Sequence, residues 1–229
     1  HVTNRKRPAA ALRVLEEIVW DLEGPRDFPS VQYVGERGNL KGGGNYYTAY
    51  FVDKATERLF VSFLSGKTEG ECLRSIEDML AHMTMEARKS VDYDGRTDLK
   101  VGAFVSDGES ALTSRNAVAR LMEHKIKHVM SAPHAKNQTP LIDNIIRRVC
   151  TIASSLLDES GLPPEFWQFA VMVACSIYNR FPTSRHPLHH SPMRRWEGRV
   201  QDLTVIRTFG ADAYPMQQKG AQDKLEARA

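Results

Sequence analysis

One stretch limits what this chain can fold into more than any other. An apolar run, Val101-Gly102-Ala103-Phe104-Val105, stops abruptly at Ser106-Asp107-Gly108. A run this short, apolar and halted by glycine, reads as a buried strand. Asp107 is therefore expected where a strand ends, on a rim open to solvent. Open α/β sheets bind their ligands at the carboxyl ends of their strands. A second carboxylate, Asp21, closes another apolar run, Ile18-Val19-Trp20, and a third, Asp143, lies in a helical pattern that begins near Leu141. These three acids form the candidate site.

At 229 residues, 41% hydrophobic and 26% charged, the chain can bury one substantial core or one domain with extensions. A net charge of +3 admits nucleic acid as a partner without requiring it. Cys72, Cys150 and Cys175 are scattered, which argues against a disulfide framework or a cysteine zinc site and for a reducing setting. No signal peptide is visible, and the longest apolar stretch, residues 166–178, is too short to cross a bilayer, so no membrane partner is expected.

Periodicity orders the rest. Residues 12–22 contain a first strand that ends at Asp21; residues 24–45, punctuated by Gly24-Pro25 and Gly42-Gly43-Gly44, read as a long loop. Residues 46–52 and 59–64 read as a hairpin. Thr68-Glu69-Gly70-Glu71 is a capping box that starts a helix with Leu73, Ile76, Leu80 and Met83 on one face. Ser114 caps a short helix with Val118, Leu121 and Met122 inward, and 127–131 is another strand. The helix carrying Asp143 turns Leu141, Ile145, Val149, Ile152 and Leu156 to the core. Pro163-Pro164 opens a further helix that is apolar nearly all round. Residues 205–214 are expected to add a last strand. This succession predicts an α/β fold with a mixed sheet.

A series of motifs then carries a family likeness. Asp21-Leu22-Glu23-Gly24-Pro25, Ser106-Asp107-Gly108, Ser131-Ala132-Pro133-His134, Leu162-Pro163-Pro164-Glu165-Phe166-Trp167, Asn179-Arg180-Phe181-Pro182-Thr183, Ser191-Pro192 and Phe209-Gly210-Ala211-Asp212-Ala213-Tyr214 occur in that order. The set resembles the integrase catalytic core of copia-type long-terminal-repeat retrotransposons over roughly residues 12–216. The resemblance implies a ribonuclease H-like fold: a mixed five-stranded sheet with flanking helices. It implies a basic arm at 1–11 following an upstream domain not contained in this chain, a core-like domain over 12–181, and a basic extension over 182–229. It also implies catalytic and metal-binding roles for Asp21, Asp107 and Asp143. Thirty-five residues separate Asp107 from Asp143, the spacing such cores use.

Three carboxylates brought together repel one another unless cations compensate. Mg²⁺, or Mn²⁺, suits hard oxygen ligands, and two such ions can activate an attacking hydroxyl and stabilise the leaving oxygen of a phosphodiester. The expected reaction is DNA strand transfer after 3′-end processing, with DNA as partner, an oligomer or larger complex as setting, and the nucleus as location. Arg147, Arg148, Arg180, Arg185, Arg194 and Arg195 are candidates for phosphate contact. His189-His190 lacks a third ligand at useful spacing for a metal.

The third acid departs from the family pattern, being Asp rather than Glu. Further departures are Thr139-Pro140 before it, Asn144-Ile145 after it, and Gly108 after the second acid. Arg147, one turn beyond Asp143, reads as an ordinary ion-pair partner. All these departures sit at the active-site edge. They support an alternative: a catalytically inactive, domesticated integrase-like domain serving as a structural or nucleic-acid-binding subunit.

Overall fold

The computed structural model describes residues 12–34, 40–42, 44–95, 99–107, 112, 114–130, 140–183 and 188–212. Along the chain run β1 (Glu17–Glu23), β2 (Val31–Val34), β3 (Leu40–Gly42), β4 (Tyr47–Asp53), β5 (Leu59–Leu64), α1 (Glu69–Glu86), β6 (Ala103–Ser106), α2 (Arg115–Glu123), β7 (Lys127–Met130), α3 (Pro140–Ser160), α4 (Trp167–Arg180) and α5 (Pro192–Glu197). Five strands form one sheet in the order β5-β4-β1-β6-β7. β1 is central, antiparallel to β4 and parallel to β6. The mixed five-stranded sheet expected from the sequence is present, and its helices cover both faces.

Alternation along β1 assigns those faces. Ile18 and Trp20 join Phe51, Phe104, Cys72, Ile76, Met83 and Leu121 under α1 and α2. Val19 joins Tyr50, Val52, Ile142, Ile145, Val149, Ala170 and Ala174 under α3 and α4. The apolar run Val101-Gly102-Ala103-Phe104-Val105 needs its glycine. A Cβ on Gly102 would stand 2.8 Å from the Glu16 carbonyl oxygen, where the Gly102 amide donates to Leu15 at 3.0 Å.

Local signals held where one helix turn decides them. The Thr68 hydroxyl accepts from the Glu71 amide while the Glu71 carboxylate reaches back to the Thr68 amide. Ser114 caps α2 through the Ala117 amide. Other expectations need correction. The stretch 24–45 is not all loop, because β2 and β3 pair within it; the β-branched and aromatic content of Val31–Val34 favours a strand. β1 continues two residues past Asp21, paired to β4 out to Glu23↔Thr48. Met122 is 67% exposed, and Ala117 and Leu121 take the inward positions of α2. Residues 205–212 form turns rather than a strand. Packing also continues to α5, whose Trp196 is fully buried. No helix among the described residues is long and apolar enough to cross a membrane.

Asp53 ties the far end of β1 to the β4–β5 turn. Its buried carboxylate accepts from the Leu15 amide at 2.8 Å, the Thr56 amide at 2.9 Å and the Thr56 hydroxyl at 2.7 Å. Burial pushes this carboxyl above its ordinary value of 3.8, against the pull of those donors. The folded state then keeps a proton that the unfolded chain has already lost. Its contribution to stability is full below the ordinary value and is lost as pH rises through the raised one. Urea midpoints measured across that window should fall more steeply for the parent than for Asp53→Asn, whose amide does not titrate; identical slopes would refute the assignment.

Candidate active site

β1 and β6 set the site. Their last parallel pair is Trp20↔Ser106, so Asp21 and Asp107 occupy the next position on each of two neighbouring strands. Adjacent strands lie about 4.8 Å apart. Val19 and Val105, two residues earlier on each strand, both pack into the α3–α4 cluster, and alternation directs Asp21 and Asp107 to that same side. Asp21 is half-buried, lies opposite Tyr50 on β4, and accepts from the Leu22 amide at 2.8 Å. Asp107 is exposed.

Asp143 stands exposed in the first turn of α3. Its neighbours Ile142 and Ile145 bury in the cluster that holds Val19, so α3 begins over the face carrying the two strand acids. Among the described residues, no three carboxylate, imidazole or thiol groups gather closely enough to hold a metal ion. The pair Asp21 and Asp107 by itself suits Mg²⁺, which takes one or two protein carboxylates and fills its other positions with water and phosphate oxygens.

The ion pair expected between Asp143 and Arg147 does not form. The Arg147 guanidinium donates instead to the Asn144 side-chain oxygen, and the Asn144 amide donates to the Pro140 carbonyl at 2.6 Å. Arg147 and Arg148 are exposed on α3. Arg180 is half-buried and donates to the Ser176 carbonyl at 3.2 Å. Arg195 is half-buried, 3.2 Å from the Glu57 carboxylate. Arg194 lies half-buried on α5, its amide donating to the Ser191 hydroxyl at 3.2 Å. Arg185 and the motif at 131–134 lie outside the described residues.

Two motifs turn out to brace the scaffold. Asn179 grips the outer edge of β5, donating to the Leu59 carbonyl at 2.7 Å and accepting from the Leu59 amide at 2.9 Å. The Trp167 indole donates to the Phe28 carbonyl at 3.1 Å, packs edge-on against Phe63, and lies 5.5 Å from the Arg26 guanidinium.

Sequence reasoning missed a polar cluster beside Asp21. Glu23, two residues on, pairs with Arg26. The Tyr50 hydroxyl lies 3.4 Å from Glu23 and 3.7 Å from the Cys150 sulfur, and Arg26 lies 3.7 Å from the same sulfur. Burial, then the neighbouring Cys150 and Glu23, push the Tyr50 hydroxyl far above its ordinary value, so it stays neutral. Alternation on β1 places Glu23 on the face of Asp21. Tyr50 enters only through cross-strand register, and Cys150 only through helix docking.

No family model matches the chain. It is 26% identical over 219 residues to the retrovirus-related Pol polyprotein from transposon TNT 1-94 of Nicotiana tabacum, covering 95% of this chain and 15% of that one. It is 26% and 27% identical over 136 and 137 residues to the corresponding polyproteins from transposons RE1 and RE2 of Arabidopsis thaliana, covering 59% of this chain and 9% of each relative. The chain thus spans a small part of these relatives. Among solved structures, it superposes with a TM-score of 0.58 at 12% identity on a chain of the simian T-cell lymphotropic virus intasome in complex with PP2A regulatory subunit B56 gamma, covering 90% of this chain and 60% of that one. In sequence the chain is similar to the retrovirus-related Pol polyproteins of these plant transposons, and in fold it is a ribonuclease H-like α/β domain with a mixed five-stranded sheet.

Proposed function

We propose that the chain joins DNA ends: a retroelement integrase core that processes a DNA 3′ end and transfers its hydroxyl to a target phosphodiester. The observation that supports this reading is the placement of Asp21 and Asp107 at neighbouring positions just past the last β1–β6 pair, facing the start of the helix that carries Asp143. Asp21 and Asp107 would hold divalent ions; Asp143, at the start of α3, does not join them in one three-ligand group in this structure. When bound, such ions polarise the phosphoryl group and lower the pKa of an attacking water or hydroxyl. The chain's own residues orient the ends. Glu23 is neutralised by Arg26, which leaves the strand carboxylates as the local negative charge. Arg147 and Arg148 supply exposed cations one helical turn along α3. Such a domain would act on DNA within a larger assembly, in the nucleus.

A strand-transfer assay with Mg²⁺ or Mn²⁺ tests the reading. Joined product that depends on the metal supports it; no product, with Asp107→Asn indistinguishable from the parent, overturns it. A second reading, a scaffold that keeps the fold without the chemistry, is favoured by the third acid. Asp is one methylene shorter than Glu, about 1.5 Å of reach, and a misplacement of about 1 Å can cost on the order of 100-fold in rate. Asp143→Glu should therefore raise joining by at least about tenfold. The same assay decides it: a variant no faster than the parent means reach does not limit the reaction.

A further inference from the structure

We propose that the cleft between the middle of α3 and the end of α4 binds one unpaired nucleotide of the DNA, with its phosphate on Arg147 and Arg148 and its base laid on Phe181. The proposal rests on the DNA-joining reading for the identity of its ligand. The cleft measures about 450 Å³, within the range of small-molecule sites. Its walls include Ile152, Ile177, Phe181 and Thr183, and the two arginines stand exposed at it. No carboxylate is among the described residues that line it. Two cations without an acid select an anion, and the apolar walls select a body with a flat apolar face.

Two further observations point to an occupant. Phe181, the residue that ends α4, is 47% exposed although it is a large aromatic ring. Thr183 is only 3% exposed, and its hydroxyl finds no hydrogen-bond partner among the described residues. A buried hydroxyl without a partner is unfavourable, and the polar edge of a base would satisfy it. Arg147 also donates to Asn144, which engages one of its five N–H donors and leaves the others for a phosphate.

Position favours a nucleotide over an acidic peptide. Arg147 lies one turn, about 6 Å along the helix axis, beyond Asp143. A phosphate chain passing the strand acids therefore runs on to these arginines. The nucleotide must be unpaired, because a base laid on Phe181 with its polar edge on the Thr183 hydroxyl cannot also pair through that edge. Stacking on an aromatic ring accepts any base, and unpairing costs least where a strand is already single.

The test is binding of the 229-residue chain in EDTA, read by fluorescence anisotropy. The probes are a DNA hairpin with a short single-stranded tail and a blunt hairpin of the same stem. Phe181→Ala should raise the Kd for the tailed hairpin at least about tenfold and leave the blunt one within about twofold. Phe181→Tyr, which keeps the ring, should restore the preference and guards against misfolding. Arg148→Gln should lower the salt slope for the tailed probe by about 0.7. Equal weakening of both probes, no weakening, or displacement of the tail by an acidic peptide would overturn the proposal. Because metal is absent, binding and joining separate. A chain that prefers the tail through Phe181 but never joins DNA keeps the cleft and loses the enzyme. A chain that joins without that preference loses the cleft.

Discussion

Asp107→Asn should join DNA ends at least about 100-fold more slowly than the parent and melt at the same temperature. The substitution keeps the shape of the side chain and removes its charge, and a neutral amide is a far weaker ligand for a hard divalent ion. Stability is spared because Asp107 is exposed just past the end of β6, and substitutions at such positions usually stay within about 0.5 kcal/mol. Asp21→Asn should lose joining to a similar degree if both acids serve one site, and the double variant should then be no slower than either single one, as groups that act as a unit are not additive. Product yield on gels and a melting curve for each variant provide the check. Normal joining by Asp107→Asn refutes the site. A loss of joining accompanied by a large fall in melting temperature assigns Asp107 to the scaffold instead.

Trp196→Ala should lower stability by about 3–5 kcal/mol, a fall in melting temperature of about 10 °C at roughly 2–4 °C per kcal/mol for a chain of this size. Trp196 is fully buried although it comes from a six-residue helix late in the chain. Its ring packs edge-on against Phe60 at 5.6 Å. The Arg58 guanidinium lies 4.7 Å from the centroids of both rings and 3.0 Å from the Glu86 carboxylate. The Trp196 carbonyl also accepts from the Val91 amide at 2.8 Å. Removing the indole leaves a cavity and strips one face from a largely buried cation, and both effects act in the same direction. Calorimetry measures the fall. A change of less than about 1 °C would mean that α5 rests on the domain without helping to hold it.

The difference between what could be read from residues and what needed coordinates follows the range of the interactions. The strand ending before Asp107, the Thr68 cap and the Ser114 cap were legible because each depends on neighbours within a turn or a strand length. The hairpin β2–β3 was obscured because its short apolar segment is bounded by loop residues whose signal dominates any window. Arg195 reads as a free cation in a basic stretch, yet its ion pair with Glu57 spans more than a hundred residues. The Asn179 motif is visible as a pattern, but its use as a clamp on β5 is not.

By itself the sequence determined the strands of the main sheet, the capped starts of α1 and α2 and most of the residues the helices bury, and it singled out three acids, because periodicity and capping are properties of contiguous residues. Only the tertiary structure decided that β1 lies between β4 and β6, so that Asp21 and Asp107 become neighbours, that Arg147 turns to Asn144 rather than Asp143, and that Trp196 closes the core. The physical reason is that strand register and helix docking are chosen by burial summed over the whole chain, and no local window contains that sum.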